Sequence, residues 1–165
     1  MSIVFSCVIL VAVLALQLSL GALLAVFGVT PDLVFAAVTS LAALGTFLSG
    51  SLYGAGIGLL MDALFMTPGR YSLQYLLAGL VAGLLPVRGH KHRFGRLLMF
   101  CLPAYFAKET FQLLLMRLGG VAFDWPVFLG KVLIGAVYTG LLSIAFYLVF
   151  ETAARRLRFL SGGRM

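Results

Sequence analysis

Long apolar stretches separated by short polar breaks dominate this chain. From Met1 to Pro31 there is no charged side chain, and this stretch exceeds the roughly 20 residues that a helix needs to cross a bilayer core. Residues 94–118 and 127–150 are also apolar and long enough to cross. Residues 33–66 would form a helix roughly 50 Å long against a core of roughly 30 Å, so this segment must fold back.

The apolar pattern predicts an all-α integral membrane protein with six transmembrane helices. Ser49, Gly50 and Ser51 form the predicted reversal within the segment that folds back. The single transmembrane domain covers residues 1–165, with helices at about 3–28, 33–48, 51–66, 71–87, 95–118 and 127–150, and 151–165 as a cytoplasmic basic tail. The second and third helices are short, and the sequence leaves open whether they cross the bilayer fully.

Composition and charge placement add an orientation. Hydrophobic residues make up 62% of the chain, charged residues only 10%, and the mean hydropathy is +1.12, values foreign to a soluble domain. Eight of the twelve basic residues fall in one loop and in the tail: Arg88, Lys91, Arg93 and Arg96, then Arg155, Arg156, Arg158 and Arg164. By the positive-inside rule both segments are cytoplasmic. We therefore expect a multi-pass membrane protein whose amino and carboxyl termini both lie in the cytoplasm.

The first apolar stretch has a competing interpretation as a cleaved signal peptide. Such a peptide begins with basic residues, whereas residues 1–7 contain no Lys or Arg. A spanning helix is the favoured interpretation.

A row of glycines at four-residue spacing marks a surface for close helix contact. Gly50, Gly54 and Gly58 form the row, and Asp62 continues it. Gly79 and Gly83 offer a second close-approach pair on the next predicted helix. Two interpretations remain open: the grooves pack on one another within the chain, or one accepts the spanning helix of a partner.

Charged residues within the predicted fifth and sixth helices form a candidate polar cluster. Lys108, Glu109 and Gln112 lie near the middle of the fifth helix, where charges should not face lipid. They either neutralise charged partners on neighbouring helices or line a polar pocket. Lys131 is the fourth member, and it either pairs with Asp62 or extends to the surface beside Asp124.

Thr30, Pro31 and Asp32 have the sequence of a helix start. The hydroxyl, the proline and the acid each favour the first turn of a helix. We expect Asp32 to cap the second helix at the outer surface, where its carboxylate also remains accessible to a partner.

Nothing in the sequence indicates catalysis, a cofactor or nucleic-acid binding. Phosphate-binding glycine loops, a helical histidine pair with glutamate and nucleophile elbows are absent from the chain. Cys7 and Cys101 fit buried apolar positions, and His90 with His92 lacks a third ligand for a metal. The basic loop is explained by topology and by contact with anionic lipid headgroups.

Three motifs carry a family resemblance across about a third of the chain. They are Thr30-Pro31-Asp32-Leu33, then Gly58-Leu59-Leu60-Met61-Asp62-Ala63-Leu64 leading into Thr67-Pro68-Gly69, and Tyr75-Leu76-Leu77-Ala78-Gly79-Leu80-Val81-Ala82-Gly83. In order and spacing these resemble the rod shape-determining protein MreD family. Arg70 departs from the apolar residue expected at its position.

The resemblance implies a non-enzymatic scaffold of the bacterial cell-elongation complex. Such a scaffold binds the spanning helix of MreC and links MreB filaments to RodA and its penicillin-binding-protein transpeptidase. The family is also similar in fold to the substrate-binding subunits of energy-coupling-factor transporters. That similarity supplies the alternative function, a vitamin-binding subunit with a pocket beside Lys108, Glu109 and Gln112.

Overall fold

The computed structural model describes residues 3–21, 23–25, 28–84, 93–120 and 124–162. Its six elements are all α-helices: α1 Ile3–Leu20, α2 Leu33–Leu44, α3 Phe47–Phe65, α4 Arg70–Leu84, α5 Arg93–Leu118 and α6 Trp125–Gly162. The all-α class predicted from the sequence is confirmed. By length and hydropathy, α3 and the Trp125–Arg156 part of α6 are able to cross a membrane, while Ser6–Leu20 and α2 are apolar but shorter.

The shortest helix, α2, lies at the centre of the bundle. Each of the other five helices contacts it, and every residue from Leu33 to Ala43 is buried. Apart from Thr39 and Ser40, these residues are apolar, which explains why the helix is surrounded on all sides. At 12 residues α2 is about 18 Å long, too short to cross a bilayer core alone.

Hydroxyl groups tie the central helix to α5 and α6. The Ser40 hydroxyl donates to the Ser143 carbonyl oxygen at 2.8 Å, and the Ser143 hydroxyl donates to the Thr139 carbonyl oxygen at 2.9 Å. The Cys101 sulfur lies 3.2 Å from the Ser143 hydroxyl oxygen, so it occupies a small internal polar contact. These polar groups satisfy one another where helices meet, as is usual inside membrane bundles.

The reversal between α2 and α3 falls earlier than predicted. Gly45 ends α2, and Thr46 caps α3 through a reciprocal pair of hydrogen bonds with Ser49. Gly50 and Ser51 lie inside α3 rather than in a turn. The capping pair fixes the helix start, and the neighbouring glycines serve packing instead.

The first and last helices also differ from their predicted lengths. α1 ends at Leu20, earlier than predicted, and the chain then returns against it. Gln17 Nε2 donates to the Pro31 oxygen, and the Leu33 amide donates to Gln17 Oε1. α6 continues to Gly162, so most of the basic tail is helical. An ion pair between Arg155 and Glu151, one turn apart, supports that extension.

Candidate functional site

A polar cavity of about 580 Å³ opens between the helices around the start of α2. It is bounded by α1, α3, α4, α5, α6 and the chain leading into α2. Its polar lining consists of Gln17, Thr30, Asp32, Tyr71, Tyr75, Tyr105, Lys108, Glu109, Gln112 and Lys131. A cavity of this size lies within the usual range for small-molecule sites.

Asp32 lies at the centre of this cavity wall. One carboxylate oxygen accepts the amide hydrogen of Phe35 at 2.8 Å, which caps α2, and the Tyr75 hydroxyl donates to the same carboxylate at 2.9 Å. Lys108 Nζ lies 2.6 Å from the other oxygen. The predicted cap by Asp32 is therefore confirmed, and Lys108 reaches it from the middle of α5. The position of Asp32 at the outer surface stays a prediction.

Lys108 joins two acids and two aromatic rings. Its ammonium lies 3.0 Å from Glu109 in addition to Asp32, and it also lies 5.1 Å from the ring centre of Tyr105 and 5.8 Å from that of Phe35. The side chain is about 8% exposed, so these contacts replace water around a buried cation. Lys108 therefore neutralises the Asp32 and Glu109 carboxylates, and the predicted polar cluster also lines a pocket. Both interpretations from the sequence apply.

Gln112 and Lys131 complete the cluster at the cavity mouth. Gln112 is half-buried and Lys131 is exposed, and both line the same cavity as Lys108 and Glu109. With Asp32 and Glu109 each carrying one negative charge and the two lysines one positive charge each, the formal charge of the lining is zero. The structure thus brings the four predicted residues together with Asp32.

Asp62 is buried at the junction of α3 and α4, and its partners there are not lysines. Its carboxylate accepts the amide hydrogens of Tyr71 at 2.8 Å and Ser72 at 2.9 Å, and the hydroxyls of Ser72 and Thr67 also donate to it. These amides belong to the first turn of α4, which otherwise lacks acceptors. Pairing between Asp62 and Lys131, one of the two alternatives from the sequence, is wrong.

The two glycine rows pack against each other within the chain. A methyl group added at Gly50 would overlap the Gly79 backbone, one at Gly54 the Tyr75 backbone, and one at Gly58 the Ser72 backbone. Gly83 lies equally close to Phe47. Helices α3 and α4 therefore form one tight hairpin, and neither glycine row is open to a partner helix.

Sequence reasoning missed several residues of the cavity. Tyr71 and Tyr75 are one turn apart on α4, and their rings lie 6.3 Å from each other beside Asp32. Gln17 was overlooked because it lies in an apolar helix. A single amide side chain in such a helix indicates a polar contact with another helix. The helical spacing of the two tyrosines was the other available signal.

The predicted cytoplasmic basic loop is mostly outside the described residues. Arg88 and Lys91 lie there, as do His90 and His92, and only the backbone of Arg93 is described. Arg96 is exposed in the first turn of α5. The expected contact of this loop with anionic lipid headgroups stays a prediction.

No known protein family, curated protein or solved structure matches this chain. The resemblance to the MreD family stays a prediction from the sequence motifs. Those motifs include both Asp32 and Asp62, the two acids with the most completely satisfied oxygens in the described part of the chain.

Proposed function

We propose that this chain is a multi-pass protein of the bacterial inner membrane. The described helices carry large apolar side chains on their outer faces, for example Val11, Leu59, Val137 and Val149, each more than half exposed. Polar groups such as Asp32 and Lys108 face inward instead. Such a surface would aggregate in water and is suited to lipid.

Six helices enter the bilayer in this proposal, and α2 enters without spanning it alone. The non-helical residues 28–32 continue its path along the polar cavity. Irregular backbone is tolerated at membrane depth when it lines such a cavity. With the basic loop and tail on the cytoplasmic side, both termini are cytoplasmic.

The proposed function is a non-enzymatic scaffold of the cell-elongation complex. The scaffold binds the spanning helix of MreC and connects MreB filaments with RodA and its penicillin-binding-protein transpeptidase. The observation that carries this proposal is that Asp32 and Asp62, the acids of the resembling motifs, bond within the chain. They hold the bundle in shape, and its apolar outer faces are left for lipids and partner helices.

The polar cavity favours a second candidate function, a substrate-binding subunit of an energy-coupling-factor transporter. Gln112 and Lys131 line the cavity and have no hydrogen bond or ion pair within the described residues. An ammonium and an amide at the mouth of a 580 Å³ cavity are suited to a carboxylate or phosphate of a small molecule.

Native mass spectrometry of the chain purified after co-expression with the MreC-like protein of the same bacterium tests both functions. The scaffold predicts a complex whose mass is the sum of the two proteins. A small molecule bound one-to-one, with no partner protein, would support the transporter subunit instead. Finding neither mass would contradict both proposals.

A further inference from the structure

The Gln74 side chain is buried in α4 with neither of its polar atoms satisfied. It is 3% exposed, and within the described residues its amide nitrogen and its amide oxygen both lack a hydrogen-bond partner. Leaving a buried amide unpaired costs about 1–3 kcal/mol, and lipid offers nothing that pairs with it. We therefore expect a group outside the described residues to form hydrogen bonds with the Gln74 amide.

Gln74 lines a crevice between α4 and α5. The crevice has a volume of about 60 Å³, well above the roughly 10–15 Å³ that admits one water molecule. Leu77 and Ala107 are exposed at its rim, so it opens onto the outer face of the bundle. Ala78 and Ala104 are buried beneath them, and such small residues permit a neighbouring backbone to come close.

The same outer strip of α5 carries a second polar feature. Pro103 lies inside the helix and has no amide hydrogen to donate to the Met99 carbonyl oxygen. Met99, Pro103 and Ala107 recur at four-residue spacing, and all three are exposed. The Met99 carbonyl oxygen therefore loses its usual donor, on the same outer strip of α5 as Ala107, which lies at the rim of the crevice that contains Gln74.

We propose that the crevice between α4 and α5 is the docking surface for the partner's spanning helix. The partner presents a side chain that both donates and accepts a hydrogen bond, namely Ser, Thr, Asn or Gln, to the Gln74 amide. An acyl chain has neither a donor nor an acceptor. The inference rests on the proposed scaffold function and assigns it a surface.

A second groove lies between α1 and α3, and it is a weaker candidate for the docking surface. It measures about 260 Å³ and is lined almost entirely by apolar atoms, with Leu52, Gly56 and Leu60 among its residues. A lipid tail fills it as well as a helix does, because no buried polar group there selects the occupant. The unsatisfied amide distinguishes the crevice between α4 and α5.

The test compares Gln74→Leu and Gln74→Asn with the unaltered chain, using the co-expressed MreC-like protein as the probe. We expect Gln74→Leu to weaken the complex about three- to tenfold, the effect of one hydrogen bond between membrane helices. The unfolding temperature of the isolated Gln74→Leu chain should stay the same or rise, because an unpaired amide has been removed. Gln74→Asn retains the amide and should bind more tightly than Gln74→Leu.

Photo-crosslinking locates the contact independently of folding. A photoreactive residue at Leu77 should crosslink to the partner, and one at Leu141, which is exposed on α6, should not. Unchanged affinity of Gln74→Leu, or crosslinks from Leu141 alone, would overturn the docking surface while leaving the scaffold function intact. Crosslinks between two copies of the chain at Leu77 would overturn the choice of partner. If the unaltered chain forms no complex, the scaffold function itself fails.

Discussion

One carboxylate, that of Asp32, connects three helices. It caps α2, accepts the Tyr75 hydroxyl of α4 and pairs with Lys108 of α5. The sequence predicted the cap because Thr, Pro and Asp precede an apolar run. It gave no indication of the other two partners, since these depend on how α4 and α5 pack around α2.

The pair formed by Lys108 and Asp32 should be strongly coupled. Lys108→Met leaves Asp32 buried beside Glu109 without a cation, and breaking such a buried pair typically costs about 3–5 kcal/mol. Asp32→Asn retains an oxygen for the cap, so we expect Lys108→Met combined with Asp32→Asn to be more stable than Lys108→Met alone.

Thermal unfolding in detergent measures this coupling as a double-mutant cycle. The free energies of the two single changes should sum to a larger loss than the double change shows. Simple additivity would mean that the contact between the Lys108 ammonium and the Asp32 carboxylate contributes nothing to stability.

Asp62 shows where residue-level reasoning from the sequence reached its limit. Its position at the end of a glycine row correctly indicated a helix contact. Its bonding to the first amides of α4 follows from the tight turn between the helices, in which Met66 and Gly69 both adopt positive φ angles. Sequence spacing alone did not reveal that the turn brings Tyr71 and Ser72 back over the carboxylate.

At the scale of elements, the hairpin of α3 and α4 is the most closely packed unit. Its glycine spacing was visible in the sequence, and packing within the chain was one of two open interpretations. The choice between them required knowing that the turn is short and that Gly50 meets Gly79 in register. Helix ends were less predictable, because hydropathy marks the segments that suit lipid and does not mark where hydrogen bonding stops. The predicted end of the last helix at residue 150 was too early for this reason, since α6 continues to Gly162.

Gly54 and Gly56 provide a matched pair for testing the hairpin. A methyl group at Gly54 would overlap the Tyr75 backbone, whereas one at Gly56 meets no atom within 4 Å. We expect Gly54→Ala to lower stability by about 1–3 kcal/mol through overpacking. Gly56→Ala should be neutral or stabilising, because alanine favours the helix by up to about 1 kcal/mol.

The unfolding temperature of each variant in the same detergent gives the comparison. Equal effects of Gly54→Ala and Gly56→Ala would contradict the close approach of α3 to α4.

At the scale of the whole molecule, polar groups lie inside and apolar side chains lie outside. Asp32, Asp62 and Lys108 are buried or nearly so, while leucines and valines cover the outer faces of α1, α3 and α6. Composition alone predicted helices suited to lipid. It did not predict that α2, rather than a longer helix, occupies the centre, because its apolar sequence does not distinguish burial in protein from contact with lipid.

We propose that this bundle lies in the inner membrane with both ends in the cytoplasm. Labelling by a membrane-impermeant maleimide in intact cells tests this topology, using single cysteines at Met66, Gly95, Leu118 and Arg158 in a chain with Cys7→Ser, since Cys7 is exposed and Cys101 is buried. Met66 and Leu118 are both exposed at the helix ends that the topology places outside. We expect labelling from outside at Met66 and Leu118, and protection at Gly95 and Arg158 until the cells are opened. Labelling of Gly95 or Arg158 in intact cells, or protection of Leu118, would be incompatible with this topology.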